Sequence, residues 1–102
     1  MAPTATMKIG SNLSRVAKLE WFLYVLSCAD GTLYTGITND PFRRFSQHEA
    51  GKGSKYTRGR APLTLLYLSP CASKSVALKE ECRVKGLSRA GKLALIAGRP
   101  LL

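Results

Sequence analysis

Acidic residues are scarce in this sequence. Its 102 residues include 16 Lys and Arg but only 6 Asp and Glu, which gives a formal net charge of +10 and an isoelectric point near 10.0. A basic balance of this size points to a polyanionic partner, usually DNA or RNA. A merely soluble cationic protein is the alternative that charge alone leaves open.

Residues that build metal sites through sulfur and imidazole are also few. Cys28, Cys71 and Cys82 are far apart, no CxxC pair exists, and the chain has 1 histidine. This excludes a structural zinc site, which needs four such ligands at short spacings. We expect all three cysteines to be small buried residues in a reducing compartment, which favours a cytoplasmic protein.

Long apolar runs are absent as well. None reaches the roughly 20 residues that cross a bilayer, so we expect no membrane span. A chain of 102 residues with 45% hydrophobic residues forms one compact domain. We expect a flexible basic segment at 1–19, although its composition also suits a transit peptide, a folded domain at 20–97 and a short tail at 98–102.

Two β-rich runs surround an Asp-Gly turn and predict a hairpin. Residues 21–26 are aromatic and branched, Asp30-Gly31 forms the turn, and residues 33–38 form the second strand. Later signals predict a helix between Asp40-Pro41 and Gly51, a strand at 63–68, and helices at about 73–87 and 88–97. The order β-β-α-β-α-α indicates an α+β domain with a small three-stranded antiparallel sheet flanked by helices.

The predicted hairpin holds two tyrosines and a glycine. Tyr24 and Tyr34 lie near the middles of the strands, and Gly36 shares the face of Tyr34. A glycine inside a strand suggests that something approaches the backbone closely, and we expect nucleic acid to do so at Gly36. The alternative is ordinary sheet tyrosines with a bulge at Gly36.

The first predicted helix carries Arg44 and His48 one turn apart. Arginine offers a planar fork that matches phosphate oxygens, and histidine moves protons near neutral pH. A solvated charged face with a histidine at its border is the alternative, unless the hairpin and this helix converge.

The second predicted helix places Glu80 and Glu81 within an apolar arc that includes Val76 and Leu78. An acid among apolar neighbours needs a cationic partner. A carboxylate oxygen suits Mg²⁺, which commonly binds one or two acids, several waters and substrate phosphate. An ion pair with Lys85 is the equally open alternative.

A glycine-rich loop at residues 51–60 has four positive charges and no acid. Tyr56 among these charges offers a ring on which a base could stack. We therefore expect the loop to bind nucleic acid, although a solvated charged loop is the alternative. The basic side chains are Lys52, Lys55, Arg58 and Arg60.

Taken together, these residues resemble the GIY-YIG nuclease superfamily, most closely its compact single-domain bacterial branch. Phe22-Leu23-Tyr24 and Tyr34-Thr35-Gly36 are similar to the two halves of the signature, and the loop Gly51–Arg58 is similar to that of the branch. Residues 77–85 match a stretch A-L-x-x-E-x-x-V-K. The first triplet keeps only its tyrosine, and no asparagine follows Asn39, where larger members have a late one.

The resemblance implies an endonuclease that hydrolyses DNA phosphodiester bonds, of a repair or recombination type, and leaves 5′-phosphate and 3′-hydroxyl ends. It implies catalytic roles for Tyr24, Tyr34, Arg44 and His48, and Mg²⁺ or Mn²⁺ held by Glu81 rather than Glu80. The expected substrate is DNA, whether branched, damaged or single-stranded. We expect a monomer or a weak dimer, and a separate partner protein is compatible with the sequence. Two alternatives are a non-catalytic nucleic-acid-binding module on this scaffold and a protein-interaction module.

Overall fold

A computed structural model of the chain describes residues 21–98, so the predicted segment 1–19 and all but the first residue of the predicted tail lie outside the described residues. The described part contains three strands and three helices in the predicted order, and the α+β prediction is confirmed. These elements are β1 (Trp21–Ser27), β2 (Leu33–Thr38), α1 (Pro41–Glu49), β3 (Thr64–Cys71), α2 (Lys74–Lys85) and α3 (Arg89–Ala97). None of the described helices is long and apolar enough to cross a membrane.

The sheet is antiparallel and places β1 in the centre, in the order β2-β1-β3. The predicted hairpin joins β1 and β2, and Tyr24 lies opposite Gly36. Its turn has Gly31 at φ +85°, a left-handed conformation that glycine adopts without strain. Asp30 supports the turn by accepting hydrogen bonds from the backbone N–H and the hydroxyl of Thr32, at 3.1 and 2.6 Å.

The side chains of β1 alternate between the two faces of the sheet and pack in two separate hydrophobic cores. Phe22, Tyr24 and Leu26 face α1, and Leu23 and Val25 face the other side. On that other side the buried residues of α2 complete the core, with α3 packed against it. The sheet is therefore covered on both faces, and Tyr24 and α1 share one of them.

Short side chains begin each helix as the sequence predicts or allows. Asp40 accepts from the Arg43 backbone N–H at 3.2 Å, and Pro41 follows at the first helical position. After α1, Gly51 has φ +77°, as expected of a left-handed cap. Ser73 caps α2 in the same way as Asp40 caps α1.

Three details of the prediction are wrong. The third strand continues through Pro70 to Cys71, because β3 is an edge strand and a proline there loses no ladder bond. Val76 and Leu78 are 41% and 47% exposed, so the apolar arc of α2 is narrower than predicted. Cys82 is exposed, because it lies off the buried stripe of α2, whereas Cys28 and Cys71 are buried as expected.

Candidate active site

His48 and Tyr24 form the centre of a polar cluster beneath α1. His48 lies in the last turn of α1 and is its buried residue, with 0% of its surface exposed. The Tyr24 hydroxyl, from the middle of β1, lies 2.9 Å from His48 Nε2. The hairpin and the helix thus converge, which is the condition that the sequence left open.

Tyr34 and Arg44 complete this group, which we call the tyrosine–histidine cluster (Tyr24, Tyr34, Arg44, His48). The ring of Tyr34 lies 6.2 Å from that of Tyr24 and 5.1 Å from that of His48, measured between centroids. Arg44 donates from Nε to the Tyr24 hydroxyl at 3.4 Å. The structure therefore brings together all four residues that the sequence predicts to be catalytic.

Two hydroxyl groups of the loop lie at the Nδ1 edge of the His48 ring, away from Tyr24. Thr57 is buried, and its Oγ1 lies 2.8 Å from His48 Nδ1. Ser54 Oγ lies 3.1 Å from the same Thr57 oxygen and accepts from the Thr57 backbone N–H at 3.1 Å. Neither residue is predicted as part of the site from the sequence, because the three-residue spacing of two hydroxyls indicates a local turn but no partner.

Burial controls the protonation of the cluster. It raises the pKa of Tyr24 to about 12, although the bond from Arg44 opposes the shift. Burial, with a smaller contribution from the positive charge of Arg44, lowers the pKa of His48 to about 4. At neutral pH the cluster therefore holds a protonated phenol against a neutral imidazole.

Two glycines make room for these rings. A Cβ at Gly36 would lie 2.7 Å from Tyr24 Cζ, so the close approach expected at this strand glycine is made by the protein's own phenol. A Cβ at Gly53 would lie 2.6 Å from His48 Cγ. Both distances are too short for any side chain, so the backbone at both positions is part of the cavity that seats the cluster.

The aromatic residue of the loop packs on the cluster. The ring of Tyr56 is stacked on Tyr34 at 5.7 Å between centroids, and the Arg60 guanidinium lies 4.6 Å from its centre. Arg60 also forms an ion pair with Asp30 of the hairpin turn at 2.9 Å, a pairing that the sequence does not predict. A base could stack on Tyr56 only where these two neighbours leave the ring open.

The remaining loop cations are open to solvent. Lys52, Lys55 and Arg58 are exposed, and within residues 21–98 none of them forms an ion pair. A groove of about 300 Å³ lies on the other side of the cluster, and Arg43, Arg44 and Gln47 contribute to its wall. Arg43 and Arg44 are thus the cations of this groove, which Asp40 also lines.

Glu81 lies apart from the cluster. It stands on α2 between the buried residues Ala77 and Val84, and this helix packs on the sheet face opposite α1. Its side chain is 21% exposed and pairs with Lys85 at 3.2 Å, the alternative that the sequence left open. In the described part of the chain its carboxylate makes no hydrogen bond or ion pair with the tyrosine–histidine cluster.

The donor set fits only one kind of metal site. Residues 21–98 contain no group of three or more His, Cys, Asp and Glu side chains that could hold an ion by themselves. One partly exposed carboxylate fits Mg²⁺ or Mn²⁺ that keeps its waters and is completed by substrate phosphate. Among residues 21–98, the carboxylate that the family resemblance assigns to the metal ion is that of Glu81.

Glu80 behaves differently from its neighbour. It forms an ion pair with Arg83 at 2.9 Å, near the exposed side of α2. The two adjacent acids therefore have different partners, and Glu81 is the more buried of the two, with 21% of its side chain exposed against 40% for Glu80.

Comparisons with known proteins identify the family of this chain. A family model described as the GIY-YIG catalytic domain matches residues 20–94. The chain is 52% identical over 79 residues to a UPF0213 protein of Cronobacter sakazakii, a match that covers 78% of the chain and 83% of that relative. It is 49% identical over 77 residues to the UPF0213 protein YhbQ of Escherichia coli, covering 76% and 77%.

Two solved structures are also similar. The solution structure of a UPF0213 protein from Bacillus halodurans matches with a TM-score of 0.53 and 44% identity, and the match covers 78% of this chain and 84% of that one. A solution structure of an E. faecalis protein matches with a TM-score of 0.55 and 37% identity, covering 76% and 82%. Both matches extend over most of the folded domain.

Proposed function

Because the chain belongs to the GIY-YIG family of catalytic domains, a nuclease superfamily, we propose that it is an endonuclease that hydrolyses DNA phosphodiester bonds with the help of Mg²⁺ or Mn²⁺. The observation that carries this proposal is the convergence of Tyr24, Tyr34, Arg44 and His48 around one hydrogen-bonded centre. The expected products have 5′-phosphate and 3′-hydroxyl ends, and a repair or recombination role in the cytoplasm is part of the proposal.

Arg44 would bind the scissile phosphate. Its guanidinium reaches the Tyr24 hydroxyl from Nε and borders the groove beside the cluster, which brings the phosphate next to the phenol. A fixed positive charge stabilises the negative charge that grows on the phosphate oxygens in the transition state. Tyr34 is half-buried at the mouth of the cluster, where its hydroxyl would orient the attacking water.

Tyr24 and His48 would move the proton of that water. Transfer of the phenol proton to the imidazole costs of order 10 kcal/mol in the resting site, given pKa values of about 12 and about 4. Binding of a phosphate to Arg44 would offset the positive charge that holds the pKa of His48 down. Substrate would therefore make the histidine a better acceptor, and Tyr24 would pass the water proton to Nε2.

Thr57 would fix the histidine tautomer for this role. Its hydroxyl donates to the Ser54 carbonyl at 3.4 Å, which leaves the oxygen to accept from His48 Nδ1–H. We assign the ring proton to Nδ1 on this basis, so that Nε2 is the acceptor facing Tyr24. Of the four cluster residues, Thr57 hydrogen-bonds only to His48, so it is a positioning residue.

Glu81 would hold the metal ion, and the chemistry that a divalent ion would supply there is polarisation of a phosphate and stabilisation of a leaving oxygen. Because Glu81 lies apart from the tyrosine–histidine cluster, bound substrate would have to bridge the distance between the two. Since Glu81 pairs with Lys85, the lysine would give way to the cation. The exposed fraction of the Lys85 side chain is 56%, so it can swing into solvent at little cost.

Plasmid nicking with Mn²⁺ tests the proposal. Glu81→Ala and Arg44→Ala should each lower the nicking rate by about a hundredfold or more. Glu80→Ala is the matched control, because it removes the neighbouring carboxylate, and it should retain most of the activity. If the wild-type chain nicks no faster than the Glu81→Ala variant, the endonuclease proposal is wrong.

A non-catalytic nucleic-acid-binding module on the same scaffold is the second candidate. The ion pair between Glu81 and Lys85 favours it, because a carboxylate already neutralised by a lysine gains less from a metal ion. The two candidates differ in the metal requirement. A binding module would bind DNA equally well with EDTA or Mn²⁺, and would leave plasmid intact in both.

A further inference from the structure

A second cavity lies beside β2, the edge strand opposite β3, and away from the groove at Arg44. Its volume is about 210 Å³, and it is an open depression bordered by three segments that are distant in sequence: the start of β2, the loop and α3. The residues that line it are Thr32, Leu33, Tyr56, Arg89 and Lys92. None of them belongs to the tyrosine–histidine cluster.

Two cations in this cavity lack an acidic partner. Within residues 21–98 neither Arg89 nor Lys92 forms an ion pair, whereas Arg60, Arg83 and Lys85 each pair with an acid. Arg89 and Lys92 are three residues apart on α3, so they lie on one side of it and repel each other. α3 itself contains no acid. An anion in the cavity would relieve this repulsion.

Tyr56 connects the cavity to the cluster. Its ring is stacked on Tyr34 and contacted by the Arg60 guanidinium, so it lies between the two sites, with 41% of its surface exposed. The volume is below the about 300–1,000 Å³ of whole small-molecule sites. A phosphate with its sugar fits this volume.

We propose that this cavity binds the phosphate and sugar of a nucleotide that neighbours the scissile phosphate, with Arg89 and Lys92 as the phosphate ligands. The assignment rests on the proposed function for the position of the reacting phosphate at Arg44. DNA bound across both sites would pass over the β2 edge of the sheet. The strand would be held on each side of the reacting bond, which fixes the bond against the two tyrosines.

A metal-free NMR titration tests the site separately from cleavage. The probe is thymidine 3′,5′-bisphosphate, added to the ¹⁵N-labelled full chain in EDTA. The amide signals of residues 32–33, 56 and 89–92 should shift together. Arg89→Gln and Lys92→Gln should each weaken binding about tenfold, the loss expected for one charge-assisted hydrogen bond.

Lys79→Gln is the matched control. It also removes one positive charge, from the exposed part of α2, and should weaken binding less than twofold. An equal loss in all three variants would mean that only net charge matters and would overturn the site. Shifts confined to Arg44 and Tyr34 would overturn it as well, while leaving the cleavage proposal intact.

The two proposals can fail independently. If nicking is no faster than in the Glu81→Ala variant but the bisphosphate still binds at α3, the site stands as part of a binding module and the endonuclease proposal falls. If the wild-type chain nicks plasmid and Arg89→Gln with Lys92→Gln changes neither nicking nor bisphosphate binding, the endonuclease stands and this site does not exist.

Discussion

His48 is a residue whose burial has a measurable cost in acid. It is neutral in the fold down to a pKa of about 4, whereas an exposed histidine takes up a proton near pH 6.5. Protonation therefore favours the unfolded chain: stability is complete above pH 6.5 and falls as the pH drops towards 4. The loss should total about 3 kcal/mol.

Urea unfolding at pH 7.5, 5.5 and 4.5 measures this loss. His48→Gln serves as the reference, because it keeps a polar side chain and removes the titration. The free energy of unfolding should fall more steeply in the wild type than in the variant. Parallel curves would show that other groups cause the acid sensitivity.

Gly53 is the second residue with a specific expectation. A Cβ there would press on the buried His48 ring, which is held by Tyr24 on one side and Thr57 on the other and has no space to move. Gly53→Ala should therefore lower the free energy of unfolding by about 1–3 kcal/mol and reduce nicking.

Gly86→Ala is the control for Gly53→Ala. Its nearest contact to an added Cβ would be 3.5 Å, an ordinary van der Waals distance, and its φ is −79°. Thermal unfolding should show no loss for this variant. Equal melting temperatures for both variants would contradict the steric role of Gly53.

Among the elements, α2 carries both buried residues that pack on the sheet and the proposed metal ligand. Lys85→Gln removes the cation that pairs with Glu81 and should raise the affinity for Mn²⁺ about twofold, the value of an exposed helical ion pair. Electron paramagnetic resonance of free Mn²⁺ measures the affinity, with Lys79→Gln as the charge control. A Glu81→Gln variant that binds Mn²⁺ like the wild type would show that the ion binds elsewhere.

Local signals predict most of the elements. Asp30-Gly31 indicates the hairpin turn and Asp40-Pro41 the start of α1, because a turn glycine and a helix cap act within a few residues. The extension of β3 through Pro70 could not be predicted, since a proline breaks or allows a strand according to whether the strand is an edge. That property depends on the sheet order, which no single segment encodes.

The candidate site likewise contains residues that the sequence predicts and contacts that it does not. Spacing and resemblance predict Tyr24, Tyr34, Arg44 and His48, and the structure brings them together. The contact of Thr57 with His48 arises only when the loop folds back under α1. The pairing of Arg60 with Asp30 likewise joins groups 30 residues apart in sequence. The nucleic-acid roles of the loop residues stay predictions.

At the scale of the whole molecule, charge makes a prediction of its own. The chain carries a net charge of +10, and five cations with no ion pair within residues 21–98 lie on the loop and α3. If Arg44, the proposed ligand of the scissile phosphate, and all five of these cations contact phosphates, the logarithm of DNA affinity should fall with the logarithm of salt concentration at a slope of about −5.4. These cations are Lys52, Lys55, Arg58, Arg89 and Lys92.

Fluorescence anisotropy with a labelled oligonucleotide between 50 and 300 mM KCl gives this slope. Each Lys or Arg replacement among the five should reduce it by about 1. Lys79→Gln, outside the set, should leave it unchanged. A protein-interaction module would show no salt-dependent binding to DNA, so a flat line would favour that function over both nucleic-acid proposals.

The exposure of Cys82 has a practical consequence. Of the 3 thiols in the chain, Cys28 and Cys71 are buried, and Cys82 is both open to solvent and adjacent in sequence to Glu81. A maleimide fluorophore would therefore attach to the native protein at one defined point, with no engineered mutation. Paramagnetic quenching of that dye by Mn²⁺ would then register an ion arriving at the neighbouring carboxylate.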